Sequence, residues 1–127
     1  MRIFKYASLF FIPVCLLSCG NNKVDYSSCP YIGENHSSYV VTAGSGDNFR
    51  TMQFFFYPNG YGSWGTTKIV NGETVVDAFY EYDFTLSGDV NVRAVQRIDK
   101  ETFSGYFTTT SSGQAFVISG TFYYRFS

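Results

Sequence analysis

From about residue 34 onward, turn dipeptides recur roughly every ten residues, and the segments between them are dense in aromatic and β-branched side chains. No window here spaces apolar residues by three and four for the length of a helix. A chain patterned in this way can bury its 14 Phe, 11 Tyr and single Trp only by alternating them across a sheet. The fold class is therefore all-β, an antiparallel meander, with seven candidate strands at about 38–43, 49–57, 61–70, 74–86, 90–98, 103–110 and 114–126.

Turn chemistry sets the expected registers. Asn59-Gly60 and Asn71-Gly72 both suit two-residue type I′ hairpins, because each pair tolerates positive φ. With Asn59-Gly60 as the loop, Phe55 falls opposite Trp64 with Tyr57 beside them, while Met52, Phe54 and Phe56 point to the other face. A three-residue loop Ser87-Gly88-Asp89 pairs Leu86 with Val90, Phe84 with Val92 and Tyr82 with Ala94. It also places Asp83 opposite Arg93 and Glu81 diagonal to Arg93 and Arg97. The last strand puts Phe116, Ile118, Phe122, Tyr124 and Phe126 on one core face, with Gly120 as a bend or bulge.

Ahead of the sheet lies a segment of another kind. Arg2 and Lys5 form a short basic region, and Ala7 to Leu17 form an apolar run too short to span a bilayer comfortably, as in a secretion signal. Two cysteines, Cys15 and Cys19, stand four apart at its end, where a disulfide, a metal site and a processing signal are the alternatives. Leu16-Leu17-Ser18-Cys19 resembles the lipobox of bacterial lipoproteins, which implies cleavage after Ser18 and a diacylglyceryl thioether on Cys19, with the freed amine often acylated as well. A thiolate is the nucleophile such a transfer needs. The other readings are an ordinary signal peptide or an uncleaved anchor. The organisation expected is residues 1–18 as signal peptide, 19–33 as a lipidated flexible tether and 34–127 as the β domain.

Removing residues 1–18 takes Arg2 and Lys5 from nine basic residues and leaves seven against ten acidic, a formal charge of −3 over 109 of the 127 residues. With no run of Lys or Arg, nucleic acid is not an expected partner, and attachment to a membrane would come from the lipid. Cys29 is then the only mature thiol besides Cys19, so no internal bridge is available and core packing must hold the domain together.

Phe54 to Gly62, Tyr80 to Val92 and the closing Gly120 to Phe126 resemble the small lipocalin-like domains carried by many lipoproteins of Bacteroidetes-type bacteria. The resemblance covers about Met52 to Phe126. It implies an up-and-down barrel of about eight strands, whose interior is filled by side chains or holds one small apolar ligand. Seven candidate strands leave a partly open barrel or two packed sheets as alternatives.

Few residues invite chemistry. The single histidine, His36, has no Gly-x-Ser-x-Gly elbow to serve, and one His with one Cys supplies too few soft ligands for zinc. Gly44 to Phe49 offers only Asp47 to calcium. Glu81 and Asp83 share a strand face about 7 Å apart, but the expected Arg partners would keep both ionised, unlike a glycosidase acid/base pair. No cofactor and no metal are expected, and the protein reads as a non-enzyme.

The best candidate for recognition is Phe55, Tyr57 and Trp64, as an outer apolar patch or as a second packing layer under residues 34–43. The expected function is a lipid-anchored module of the outer membrane that binds a small apolar or glycan ligand or an envelope protein; the alternative is a structural or accessory subunit without a ligand. A void lined by Tyr82, Phe84, Phe107 and Phe116 would favour the small ligand, and a filled interior the protein partner.

Overall fold

A computed structural model describes residues 24–126. Eight antiparallel strands, β1 (Ser37–Ala43), β2 (Arg50–Phe56), β3 (Tyr61–Val70), β4 (Glu73–Ser87), β5 (Asn91–Gln96), β6 (Thr102–Thr110), β7 (Gly113–Ile118) and β8 (Thr121–Phe126), follow one another around a closed barrel. A 3-10 turn, Gly46–Asn48, joins β1 to β2. Pairing of β1 with β8, Tyr39 opposite Arg125, closes the ring and removes both sheet edges. The all-β meander and its barrel form are thus observed, and neither an open barrel nor a two-sheet sandwich forms.

The eighth strand comes from the C-terminal run. Residues 114–126 are two strands rather than one bent strand, because Ser119 (φ 52°) and Gly120 (φ 80°) make a two-residue turn. Ile118 then faces Thr121 and Phe116 faces Tyr123. A two-residue loop reverses the odd-even phase, so Tyr123 is buried at 6% exposure, while Phe122 and Phe126, expected in the core, point out at 37% and 44%.

Two further registers differ from expectation. Asn71-Gly72 is the expected two-residue turn, with Val70 opposite Glu73. At Asn59-Gly60, however, the loop has three residues: Tyr57 N–H donates to the Tyr61 carbonyl (2.8 Å) and Gly60 N–H to the Tyr57 carbonyl (3.1 Å). Pro58 occupies the position of a type I turn that its fixed φ favours, and Gly60 follows in the left-handed region at φ 87°. The pairing slips by one, so Phe54, not Phe55, faces Trp64. Between β4 and β5 the loop is Gly88-Asp89-Val90, with Ser87 opposite Asn91. Moving a three-residue loop by one position shifts pairing by two, which keeps every side chain on its expected face but sets Phe84 opposite Ala94 and Asp83 opposite Val95.

The interior is a stack of rings. Phe56 packs edge-on against Phe107 and Phe116, both at 5.0 Å between centroids, and against Phe84 at 5.3 Å. Phe54 does the same one layer further along with Tyr123 (5.0 Å) and Phe116 (5.2 Å). Two glycines make room: a Cβ on Gly62 would lie 2.4 Å from the Tyr82 ring, and one on Gly105 2.6 Å from the Phe116 ring. Of the two alternatives, a void lined by Tyr82, Phe84, Phe107 and Phe116 or a filled interior, these four rings therefore make the filled one.

Residues 24–33 are not a free tether. Two turns, closed by Cys29 N–H on the Tyr26 carbonyl and Ile32 N–H on the Cys29 carbonyl, fold them across one end of the barrel. Ile32 is fully buried and Cys29 nearly so, both within the core. Tyr26 stacks on Phe84 (5.6 Å) and Tyr31 on Phe107 (5.3 Å). Polar contacts pin the segment around the rim: Tyr26 N–H to the Pro58 carbonyl (2.7 Å), the Tyr26 hydroxyl accepting from Leu86 N–H (3.1 Å), Tyr31 with Thr109 (2.9 Å), and Arg125 Nη1 to the Pro30 carbonyl (2.9 Å). The segment is a plug, and the folded domain begins about ten residues earlier than expected. Residues 1–23, with the Leu16 to Cys19 stretch that resembles a lipobox, lie outside the described residues.

Candidate functional site

The one-residue slip at the β2–β3 loop separates the candidate patch. Phe55 and Tyr57 point outward from β2 and are buried, with the His36 ring tilted over them at 6.2 and 5.3 Å between centroids. Partial desolvation of that imidazole, which stays exposed on its outer side, then the nearby Arg125 cation, holds its pKa below the ordinary 6.5. Trp64 is on the other face of the sheet, against Phe54 at 6.1 Å. The three residues do not form one surface, and the second-layer packing under residues 34–43 describes Phe55 and Tyr57 but not Trp64.

Trp64 helps build something else, at the end of the barrel opposite the plug. Its indole stacks on Tyr80 at 4.6 Å with 25° between planes, and its Nε1–H donates to Gln96 Oε1 at 2.7 Å. Gln96 in turn donates through Nε2 to both carboxylate oxygens of Asp99 at 2.9 Å. That amide, with the Glu101 backbone N–H, holds the Asp99 carboxyl below its ordinary pKa, so the rim carries a fixed negative charge at neutral pH. Beside it lies a shallow groove of about 310 Å³ lined by Phe79, Tyr80, Glu81, Gln96, Ile98 and Asp99. Part of the Tyr80 ring and most of Ile98 are open to solvent. Aromatic rings beside a carboxylate suit the apolar face and hydroxyls of a sugar.

The second feature is the outer wall of β6, β7 and β8. Tyr106, Val117 and Phe122 are direct cross-strand neighbours, and Phe122 stacks on Tyr124 at 6.2 Å. Tyr106 and Phe126 are each 44% exposed. Val117 is buried between its large neighbours, so the row is continuous. This is an apolar surface on the outside of a barrel that is already apolar within. The sequence signal for it was the Ser-Gly pair at 119–120, which decides whether Phe122 points in or out.

Residues weighed for catalysis occupy structural roles. Arg97 lies over the Tyr61 ring at 4.4 Å and grips Asp83 with two nitrogens, at 2.8 and 3.2 Å. The Tyr61 hydroxyl donates to Glu81 Oε2 at 2.5 Å. Asp83 thus pairs with Arg97 rather than with the expected Arg93, and Arg93 faces Thr85 and Ser104. Cys29 is a buried thiol whose Sγ–H donates to the Asp89 carbonyl at 3.4 Å. Among the described residues, no three His, Cys, Asp or Glu side chains gather as a metal site would require, and no helix is long and apolar enough to cross a membrane.

Comparison with protein-family models, with curated proteins and with solved structures finds no match to this chain.

Proposed function

We propose that this chain is a lipoprotein of the bacterial outer membrane, lipidated at Cys19, whose barrel is a non-enzymatic recognition module for a neighbouring envelope protein. The observation that carries the reading is where apolar surface remains. The interior is occupied by its own rings and closed at one end by Ile32 and Cys29, while Tyr106, Phe122, Tyr124 and Phe126 form an apolar wall outside. A filled barrel recognises with its surface. The Bacteroidetes-type lipocalin-like resemblance and the lipobox at Leu16 to Cys19 support the envelope placement.

Two measurements test this reading. A palmitate analogue fed to cells should label the wild-type protein and not Cys19→Ala; an unlabelled wild type rejects the anchor. A photo-crosslinking amino acid placed at Phe122 should trap a discrete envelope protein that the same substitution at Thr74, on β4 four strands away around the ring, does not trap. Equal products from both positions reject the wall as an interface.

A second reading is favoured by the Trp64–Tyr80 stack beside Asp99: recognition of a glycan at the rim groove. Native mass spectrometry of the lipid-free domain separates the two, since a glycan would remain as a small added mass and a protein partner as a second chain.

A further inference from the structure

We infer that the plugged end of the barrel faces the bilayer at close range, and that the rim carrying Trp64, Tyr80 and Asp99 faces away from it. This rests on lipidation at Cys19, and it follows from where the fold begins. Were residues 19–33 a flexible tether, the domain could drift and tumble well clear of the lipid. Instead residues 24–33 are part of the barrel, buried through Cys29 and Ile32 and hydrogen-bonded to Pro58, Leu86, Asp89 and Thr109. Only residues 20–23 separate the lipidated cysteine from Val24, and five residue steps reach at most about 18 Å fully extended.

The height of the barrel turns that reach into an orientation. The ten residues of β3, at about 3.3 Å each and tilted by about 40°, make a wall roughly 25 Å tall. The chain leaves beside Pro58, at the end shared by the loops 57–60, 88–90 and 111–112. The turn at 71–72 lies that wall height beyond the plugged end, and the turn at 119–120, which closes the six-residue β7 and β8, lies about 15 Å beyond it. Around the ring, β6 and β7 are three or four strands from β2 and β3, where the chain leaves, and β8, which carries Phe122, Tyr124 and Phe126, is two strands from β2. The plugged end exposes Asp25, Glu34 and Asp89, so the covalent tether rather than attraction to anionic headgroups holds it there.

The experiment uses the full-length lipoprotein, expressed with its leader and reconstituted in phosphatidylethanolamine and phosphatidylglycerol vesicles carrying an energy acceptor on a fraction of the headgroups. Ser112→Cys marks the plugged end and Glu73→Cys the far rim; Ser112 is an exposed turn position, Glu73 is the exposed first residue of β4, and native Cys29 is buried. A donor dye at 112 is expected to transfer at least about twofold more than one at 73, as a separation of a whole wall height dictates. Inserting a long Gly/Ser segment between Asn22 and Lys23 is expected to reduce the transfer at 112. Trp64, the single tryptophan, gives a readout without substitution and is expected to stay unquenched by lipids brominated on their acyl chains. Equal or greater transfer from 73, or quenching of Trp64, in protein that floats with the vesicles overturns the orientation alone. Wild-type protein that neither floats nor takes up palmitate overturns the anchor and the orientation with it.

Discussion

Tyr82 lies across Gly62 on the neighbouring strand, and its hydroxyl passes over that bare backbone to donate to the Phe55 carbonyl at 2.7 Å. The ring is wholly buried, and burial pushes its hydroxyl well above the ordinary tyrosine pKa, so it is a neutral donor at any physiological pH. Glycine at 62 is what admits the ring: any Cβ there would also stand 2.5 Å from the Phe55 carbonyl oxygen.

Gly62→Ala should therefore destabilise the barrel although it adds one methyl group and favours extended backbone. The added carbon cannot be accommodated without moving Tyr82, and overpacking of this kind costs about 1–3 kcal/mol. Tyr82→Phe should cost about 1 kcal/mol by removing the hydroxyl's bond to the Phe55 carbonyl. Urea denaturation of the lipid-free domain measures both. An alanine variant as stable as the wild type would mean that the ring does not lie where it is described.

The plug makes a separate prediction. Ile32→Ala removes a fully buried side chain from the end of the barrel and should cost about 2–4 kcal/mol, far outside the range for a tether residue. Cys29 should react with a thiol reagent only as fast as the plug opens, and Ile32→Ala should speed that reaction. Fast labelling of Cys29 in the wild type would return residues 24–33 to the tether.

Why these ten residues were not legible as structure is physical. Asn, Ser, Gly and Pro surround them, and a plug made of consecutive turns has neither the helical nor the strand period, so Tyr26, Cys29, Tyr31 and Ile32 look scattered until the barrel mouth is there to receive them. The barrel itself was readable because alternation and turn residues agree: β3 runs over the expected 61–70, and the Asn71-Gly72 turn falls as expected. Loop lengths were the weak step. Asn-Gly fits both a two-residue turn and the end of a three-residue one, and Pro58 was the residue that decided it. Ser119-Gly120 was a turn signal of the ordinary kind, outweighed by the unbroken aromatic run around it. Each such choice reassigns a face, which is why the Phe55, Tyr57 and Trp64 patch came apart and Phe122 and Phe126 left the core to Tyr123, while Tyr82, Phe84 and Phe116 are inside as expected.

Acid should weaken the domain through its one histidine. Partial desolvation beside Phe55 and Tyr57, then Arg125, lowers the folded-state pKa of His36 below 6.5, so the folded form binds the proton less tightly than the unfolded chain. Its contribution is then fully present above about pH 6.5 and declines as pH falls through the folded value. Denaturation midpoints should drop between neutral pH and about pH 5.5, and His36→Gln should flatten that part of the profile. With a single imidazole in the chain, an NMR titration reads the value directly; a midpoint at or above 6.5 would contradict the placement of the ring.

Phe122 and Tyr123 are neighbours in sequence with opposite fates, and the pair tests the phase of β8. Tyr123 packs against Phe54 inside the barrel, and its hydroxyl lies 3.3 Å from Met52 Sδ. Phe122 stands on the outer wall across from Val117. Tyr123→Ser should cost about 3 kcal/mol or more, as truncation of a buried aromatic does. Phe122→Ser should cost about 1 kcal/mol or less, because much of its ring is already in water. If the wall is an interface, the ranking reverses for binding: Phe122→Ser, with Tyr106→Ser beside it, should abolish capture of the envelope partner from a protein that remains folded. The continuous strand expected from the sequence would give the opposite order of stabilities, with Phe122 the costly position, so comparing the two denaturation curves decides between one bent strand and two.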